Sequence, residues 1–168
     1  IDYFNFSNIF SDKMFAVLTK KTNQATFNTD KFIKSKQIAN PIQIHSNKVK
    51  FINNPGTYSN VDGLVTMNKN IVLRLKVADC IPVFLSNKNG DMFGLIHSGW
   101  RGAINGIIVN AIKIFIKKNI SLDDIIVFLG PSINKCCFEI GMDIADKFSN
   151  KFIIKKEDKL YADLKKKV

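Results

Sequence analysis

VADCIPVFLSNKNGDMFGLIHSGWRGAING, residues 77–106, reads as strand, turn, strand, loop and helix. Residues 81–86 and 92–96 are rich in branched and aromatic side chains, as strands are. Between them Asn87-Lys88-Asn89-Gly90 supplies a turn, because Asn and Gly tolerate positive φ cheaply. Antiparallel pairing then returns the chain to where it started. Cys80, just before the first strand, and His97, just after the second, are therefore expected side by side. Both are ligands for borderline metals, and both are candidates for nucleophile and base. Beyond them Gly99 and Gly102 bracket Trp100-Arg101. Ile104, Ile107, Ile108, Ala111, Ile112, Phe115 and Ile116 follow at the i, i+3, i+4 spacing of one buried helical stripe. A glycine-flanked helix start that carries an arginine suits an anion.

Working outward, residues 15–19 form a short apolar strand. Thr29 or Asp30 could cap a helix running through Ile38, which Pro41 stops. Strands are expected at 42–44, ending on His45, and at 49–52, 64–66 and 71–77. Ser121 could cap one further turn. Residues 125–129 are almost continuously apolar, as a strand buried on both faces would be. Gly130-Pro131-Ser132 breaks that strand. Residues 137–140 read as extended, 142–148 as helical and 152–154 as a strand. The lysine-rich tail, 158–168, is amphipathic with little to bury. Strands dominate the first half and βαβ-like alternation the second, which predicts an α/β or α+β domain with mixed sheets.

The 168 residues are enough for one domain with a real core, and 46% hydrophobic with 23% charged residues is a globular balance. No apolar run reaches the ~20 residues that span a bilayer. The opening IDYFNFSNIF has no basic n-region and does not resemble a signal peptide. Three cysteines, two of them adjacent, make no disulfide framework, so a reducing, cytoplasmic setting is expected. The formal charge of +11 invites a nucleic-acid partner. The lysines are scattered, however, and no basic motif is interleaved with aromatics. Attraction to phosphorylated small ligands is the better expectation.

The only two histidines are His45 and His97, each placed at a strand end. With Cys80 they make the ligand set of an open catalytic zinc site. Their separations of 35 and 17 residues match no compact finger motif. The same residues could instead serve as a Cys80 nucleophile with a His97 base, oriented by Asp79 or Asp62, although acidic neighbours raise a thiol pKa. Asp79 and Asp62 could equally be turn carboxylates. Arg101 could hold a phosphate or carboxylate in bidentate fashion. Trp100 reads as a packing residue, and Cys136 and Cys137 as core or wall residues. Gly130-Pro131-Ser132 could offer N–H groups to an oxyanion.

QIHSNKV, DGLVT, VADCIPV, HSGWRGAINGI and GPSINKCCFEIG, in this order, resemble the laccase-domain family. Its members are described as multicopper polyphenol oxidases, purine nucleoside phosphorylases and peptidoglycan editing factors. The likeness runs from Phe15 to about Phe148. It implies an α/β/β/α sandwich with mixed sheets, similar to the catalytic domain of a deamidating toxin. It implies one zinc held by His45, Cys80 and His97, with copper as a less expected occupant. It further implies phosphorolysis of adenosine, inosine, guanosine and methylthioadenosine, and deamination of adenosine, thus transferase and hydrolase chemistry. Arg101, Asp79 and Asp62 are then expected around substrate and phosphate. Hydrolysis of a UDP-muramyl amino acid, copper-dependent polyphenol oxidation and a non-catalytic basic binding module are the alternatives. Family members continue through a Cys-Thr motif and a Ser-Tyr-Arg-Arg motif, so residues 1–168 are expected to be a single laccase-like domain truncated at its C-terminus.

Overall fold

The computed structural model describes residues 3–12, 14–19 and 37–168. In chain order its strands are β1 (Tyr3–Asn5), β2 (Val17–Thr19), β3 (Ile38–Pro41), β4 (Val49–Ile52), β5 (Gly56–Tyr58), β6 (Gly63–Thr66), β7 (Val72–Leu73), β8 (Ile81–Asn87), β9 (Phe93–Ser98), β10 (Ile125–Leu129), β11 (Glu139–Ile140), β12 (Ile153–Lys156) and β13 (Lys159–Ala162). The helices are α1 (Trp100–Ile104), α2 (Ile107–Lys117), α3 (Met142–Ala145) and α4 (Leu164–Lys167). The organising sheet has five strands in the order β10-β8-β9-β6-β4. All its pairs are antiparallel except β4 with β6, so the sheet is mixed as expected.

The β8–β9 hairpin forms where the turn residues predict it. The Asn87 side chain fixes its closure by accepting the N–H groups of Asp91 and Met92 at 2.8 and 2.9 Å. Alternate residues of each strand face opposite sides of the sheet. Val65, Val83, Leu85 and Ile96 meet Ala103, Ile107, Ala111 and Phe115 in one buried cluster. Each such large side chain, once buried, stabilises by roughly 1.5–3 kcal/mol. On the other face Leu64 joins Ala39, Ile52, Val61 and Ile71, under a parallel sheet ordered β5-β3-β7. Phe84 joins Phe10 and Ala16 beside the β1–β2 hairpin. A helix layer and two sheet layers are thus in place. Most of the helix expected from Thr29 or Asp30 lies outside the described residues, but its expected end does not. Ile38 opens a strand, and Pro41 ends that strand rather than a helix.

Local deviations from the sequence reading have identifiable causes. The single helix expected through Ile116 is two, because Gly106 takes φ 73° and turns the chain between α1 and α2. Residues 42–44 form no strand: the Ile42 N–H still donates to the Tyr58 carbonyl, but the N–H groups of Ile44, His45 and Ser46 turn to a side chain described below. Residues 71–77 pair only at Val72 and Leu73. The strand β10 is not buried on both faces. It is the edge of its sheet, and Val127 is 39% exposed. The tail is not a loose amphipathic piece either. β13 is the middle strand of the sheet β11-β13-β12, with Ala162 fully buried and Leu164 nearly so. Leu164→Ala should therefore lower stability to urea by about 2–5 kcal/mol. The exposed neighbour change Lys166→Ala should stay within about 0.5 kcal/mol. Equal effects of the two would mean that the tail is not part of the core.

Candidate metal centre

The strand registers bring the site together. Ile81 lies opposite Ser98, so Cys80 falls opposite Gly99, one residue beyond the ladder. Gly63 lies opposite Ile96, which sets Asp62 beside His97, and the His97 N–H donates to the Asp62 carbonyl at 2.7 Å. Val49 lies opposite Gly63, which brings Lys48 to Asp62 with a bond of 2.9 Å. One end of the sheet thus collects Cys80, His97, Asp62 and the loop that precedes β4. That loop carries His45. The ligand atoms of His45, Cys80 and His97 all lie within 4.8 Å of one another, which is close enough to share one ion. The two imidazoles meet edge to face with centroids 4.8 Å apart.

Asp62 is the buried centre of this arrangement. Its Oδ1 accepts the His45 N–H at 2.9 Å and faces the His97 Nδ1 at 2.9 Å. Its Oδ2 accepts the Ile44 N–H at 3.3 Å, and the Ser46 N–H and hydroxyl, both at 2.7 Å. Three successive N–H groups converge because His45 takes φ 59°, a left-handed turn that makes an anion nest. The strand predicted at 42–44 is spent on this nest. Burial alone would raise the Asp62 pKa. The bonds from His97, Ser46 and His45 outweigh it and hold the carboxyl below its ordinary 3.8. An ionised Asp62 takes its proton-bearing partner at His97 Nδ1, leaving Nε2 as the free donor atom.

Cys80 sits in a comparably constrained bend. Its N–H donates to the Ala78 carbonyl at 2.9 Å, across Asp79 at φ 69°. Burial, then the charges of Asp79 and Asp62, push the Cys80 thiol above its ordinary value. A thiol so placed makes a poor free nucleophile at neutral pH, which weighs against the cysteine-hydrolase alternative. A cation favours the thiolate in the same place.

Glycines make the space for this. A Cβ on Gly99 would stand 3.1 Å from the His45 ring and 3.2 Å from the Cys80 sulfur. A Cβ on Gly102 would stand 2.8 Å from the Ser46 carbonyl oxygen, so Gly102 lets α1 lie against the His45 loop. Sequence reading missed three polar clamps. The Gln43 amide donates to the Lys76 carbonyl at 2.8 Å and accepts the Lys76 N–H at 3.1 Å, tying the His45 loop to the Cys80 segment. The Asn47 amide donates to the Asn105 carbonyl, and the Asn110 amide to the Asn47 carbonyl, both at 2.9 Å. The only signal for Gln43 was its place two residues before His45.

The other candidates scatter. Arg101 is exposed at the start of α1, with its guanidinium 4.2 Å from the Trp100 ring centroid. Lys147 lies 5.5 Å from the same ring. Asp79 is exposed, and its carbonyl accepts the Ile133 N–H at 2.9 Å. The Gly130 N–H already donates to the Pro82 carbonyl, so it is not offered to an oxyanion. Cys136 and Cys137 are not core residues, because both are exposed. A separate cavity of about 680 Å³ lies between α3 and β11–β13, with Ile140, Phe148 and Leu160 in its wall.

The profile of a family described as "Multi-copper polyphenol oxidoreductase laccase" matches residues 1–168. A purine nucleoside phosphorylase of Rickettsia prowazekii is 34% identical over 125 residues, covering 74% of this chain and 50% of the relative. One from Aquifex aeolicus is 34% identical over 134 residues, covering 79% and 63%. A human purine nucleoside phosphorylase is 32% identical over 136 residues, covering 79% and 30%. This chain therefore spans only part of these relatives' length. Among solved structures, a Neisseria meningitidis protein aligns with TM-score 0.81 at 19% identity, covering 99% of this chain and 81% of its own. The hypothetical protein YfiH of Bacillus licheniformis aligns with TM-score 0.76 at 24% identity, covering 83% and 60%. These two likenesses concern the fold.

Replacing the Asp62 carboxylate should loosen the donors without removing one. Asp62→Asn should weaken the affinity for an added divalent ion roughly 10–100-fold in a chelator-competition titration, with the circular dichroism spectrum retained. Gly99→Ala should shift affinity in the same direction. Unchanged affinity in both variants would sever Asp62 and Gly99 from ion binding.

Proposed function

As this chain belongs to the multi-copper polyphenol oxidoreductase laccase family, we propose that it is a metal-dependent purine nucleoside phosphorylase. The observation that carries the reading is the convergence of His45, Cys80 and His97 on one point. Two imidazoles and a thiol suit a single zinc ion, and three protein donors leave a coordination position open. When bound, such an ion supplies a Lewis acid at the reacting centre. Copper fits this family name better than it fits this chain. Two histidines are too few for the many-imidazole sites of multicopper oxidation.

The protein residues take the following roles in this reading. His45, Cys80 and His97 hold the ion. Asp62 positions two of them, through the His97 ring and the His45 main chain. Its oxygens already accept five bonds from the protein, so it acts through its neighbours rather than on substrate. Arg101 has no carboxylate partner among the described residues and offers a bidentate donor set to phosphate. The exposed carboxylate of Asp79 offers acceptors to a ribose hydroxyl or a purine amino group. The reaction is attack of phosphate on the sugar C1′ of inosine, adenosine, guanosine or methylthioadenosine, displacing the free base and giving ribose 1-phosphate, or 5-methylthioribose 1-phosphate from methylthioadenosine. Deamination of adenosine is a second activity of the same site. Three unpaired cysteines suit a cytoplasmic setting. Among the described residues no helix is long and apolar enough to cross a membrane.

The test is release of hypoxanthine from inosine by the zinc-loaded chain, followed by chromatography. Release should require phosphate and should vanish in Cys80→Ala together with one equivalent of zinc. Arg101→Ala should raise the KM for phosphate about tenfold, as expected for loss of roughly 1.4 kcal/mol of charge-assisted binding. A zinc-loaded, folded chain that releases no base from any of the four nucleosides would overturn the proposal.

A further inference from the structure

Cys136 and Cys137 stand apart from the metal donors and have no part in the proposed reaction. Both are exposed, and their sulfurs lie 2.9 Å apart, sharing one hydrogen bond in which either can donate. The turn that presents them is held by its main chain. The Cys137 and Phe138 N–H groups both donate to the Asn134 carbonyl, at 2.9 and 3.0 Å, and the Glu139 N–H donates to the Cys137 carbonyl at 3.0 Å. None of these bonds uses a sulfur. The thiols can therefore react without giving up a bond that shapes the turn. Cys80 is placed differently, half-buried against Gly99 and the two imidazoles.

From this geometry we propose that Cys136 and Cys137 are a redox modification site, a vicinal dithiol that low-molecular-weight disulfides oxidise to a cyclic intrachain disulfide. The thiolate of one cysteine attacks a sulfur of the small disulfide. A mixed disulfide forms, and one small thiolate leaves. The neighbouring cysteine loses its proton and attacks the protein-bound sulfur, displacing the second small thiolate. Two protein thiols are oxidised to one disulfide, the small disulfide is reduced to two thiols, and the two protons end on those thiols. The second step is intramolecular, between sulfurs that already lie 2.9 Å apart. The hydrogen bond shared with Cys136 holds the Cys137 thiol above its ordinary value, so the oxidation should quicken as pH rises toward the thiol range. The loop is joined to the metal centre by the Ile133 N–H bond to the Asp79 carbonyl, one residue before Cys80.

The test uses the folded full chain with glutathione disulfide as probe, followed by acid quenching, alkylation and peptide mapping. The peptide holding Cys136 and Cys137 should lose two hydrogens and retain no glutathione, while Cys80 stays open to alkylation after unfolding. Cys136→Ser and Cys137→Ser should each retain one glutathione on the remaining thiol. Four outcomes would overturn the proposal. They are a wild-type chain that keeps its adduct as the single variants do, a disulfide involving Cys80, a disulfide between two chains, and no reaction at the pair.

Discussion

The structure depends on one buried carboxylate. Asp62 gathers the main chain of the His45 loop and the His97 ring with one carboxylate, at the end of the sheet where β4 and β6 begin and β9 ends. Without it two imidazoles would have no shared reference point. The left-handed backbone at His45 costs on the order of 1 kcal/mol or more. Charge-assisted hydrogen bonds of the kind Asp62 accepts contribute roughly 1.5–3 kcal/mol each, so the bend is held with energy to spare.

Much of this was legible in the residues. The turn at Asn87 to Gly90, flanked by apolar runs, announced the hairpin, and the hairpin alone brought Cys80 and His97 to one end. The helical spacing after Gly102 announced the cover of that sheet. Other features were illegible for physical reasons. A nest of N–H groups around a distant carboxylate leaves no periodicity, so the segment before His45 looked like a strand. An edge strand and an interior strand share one apolar composition, so β10 looked buried. The lysines of the tail masked Leu160, Ala162 and Leu164, which alternate with Lys159, Tyr161, Asp163 and Lys165. Asp62 was readable as half of an Asp-Gly turn and as one of two candidates to orient His97, but the main-chain donors 16 to 18 residues away left no signal in the sequence.

The family description and the chemistry of this site point in different directions. A name built on several coppers implies many imidazoles, while the relatives' names speak of phosphorolysis. The donors collected here, two nitrogens and one sulfur backed by a carboxylate, are a set that suits a single borderline ion. The surplus of 25 lysines and arginines over 14 acids attracts anions on general electrostatic grounds.

Asn87 lies at the far end of the β8–β9 hairpin from every donor atom, about 20 Å along the strand at the usual rise per residue. Its side chain nevertheless decides which residue of β9 faces which residue of β8. Both strands are apolar through most of their length, so they offer little else to discriminate one alignment from its neighbour. A shift of a single step there would bring Ser98 or Ile96 to the place His97 occupies. The spacing of the donor side chains is thus set at a remote hinge of the ladder, far from the donors themselves.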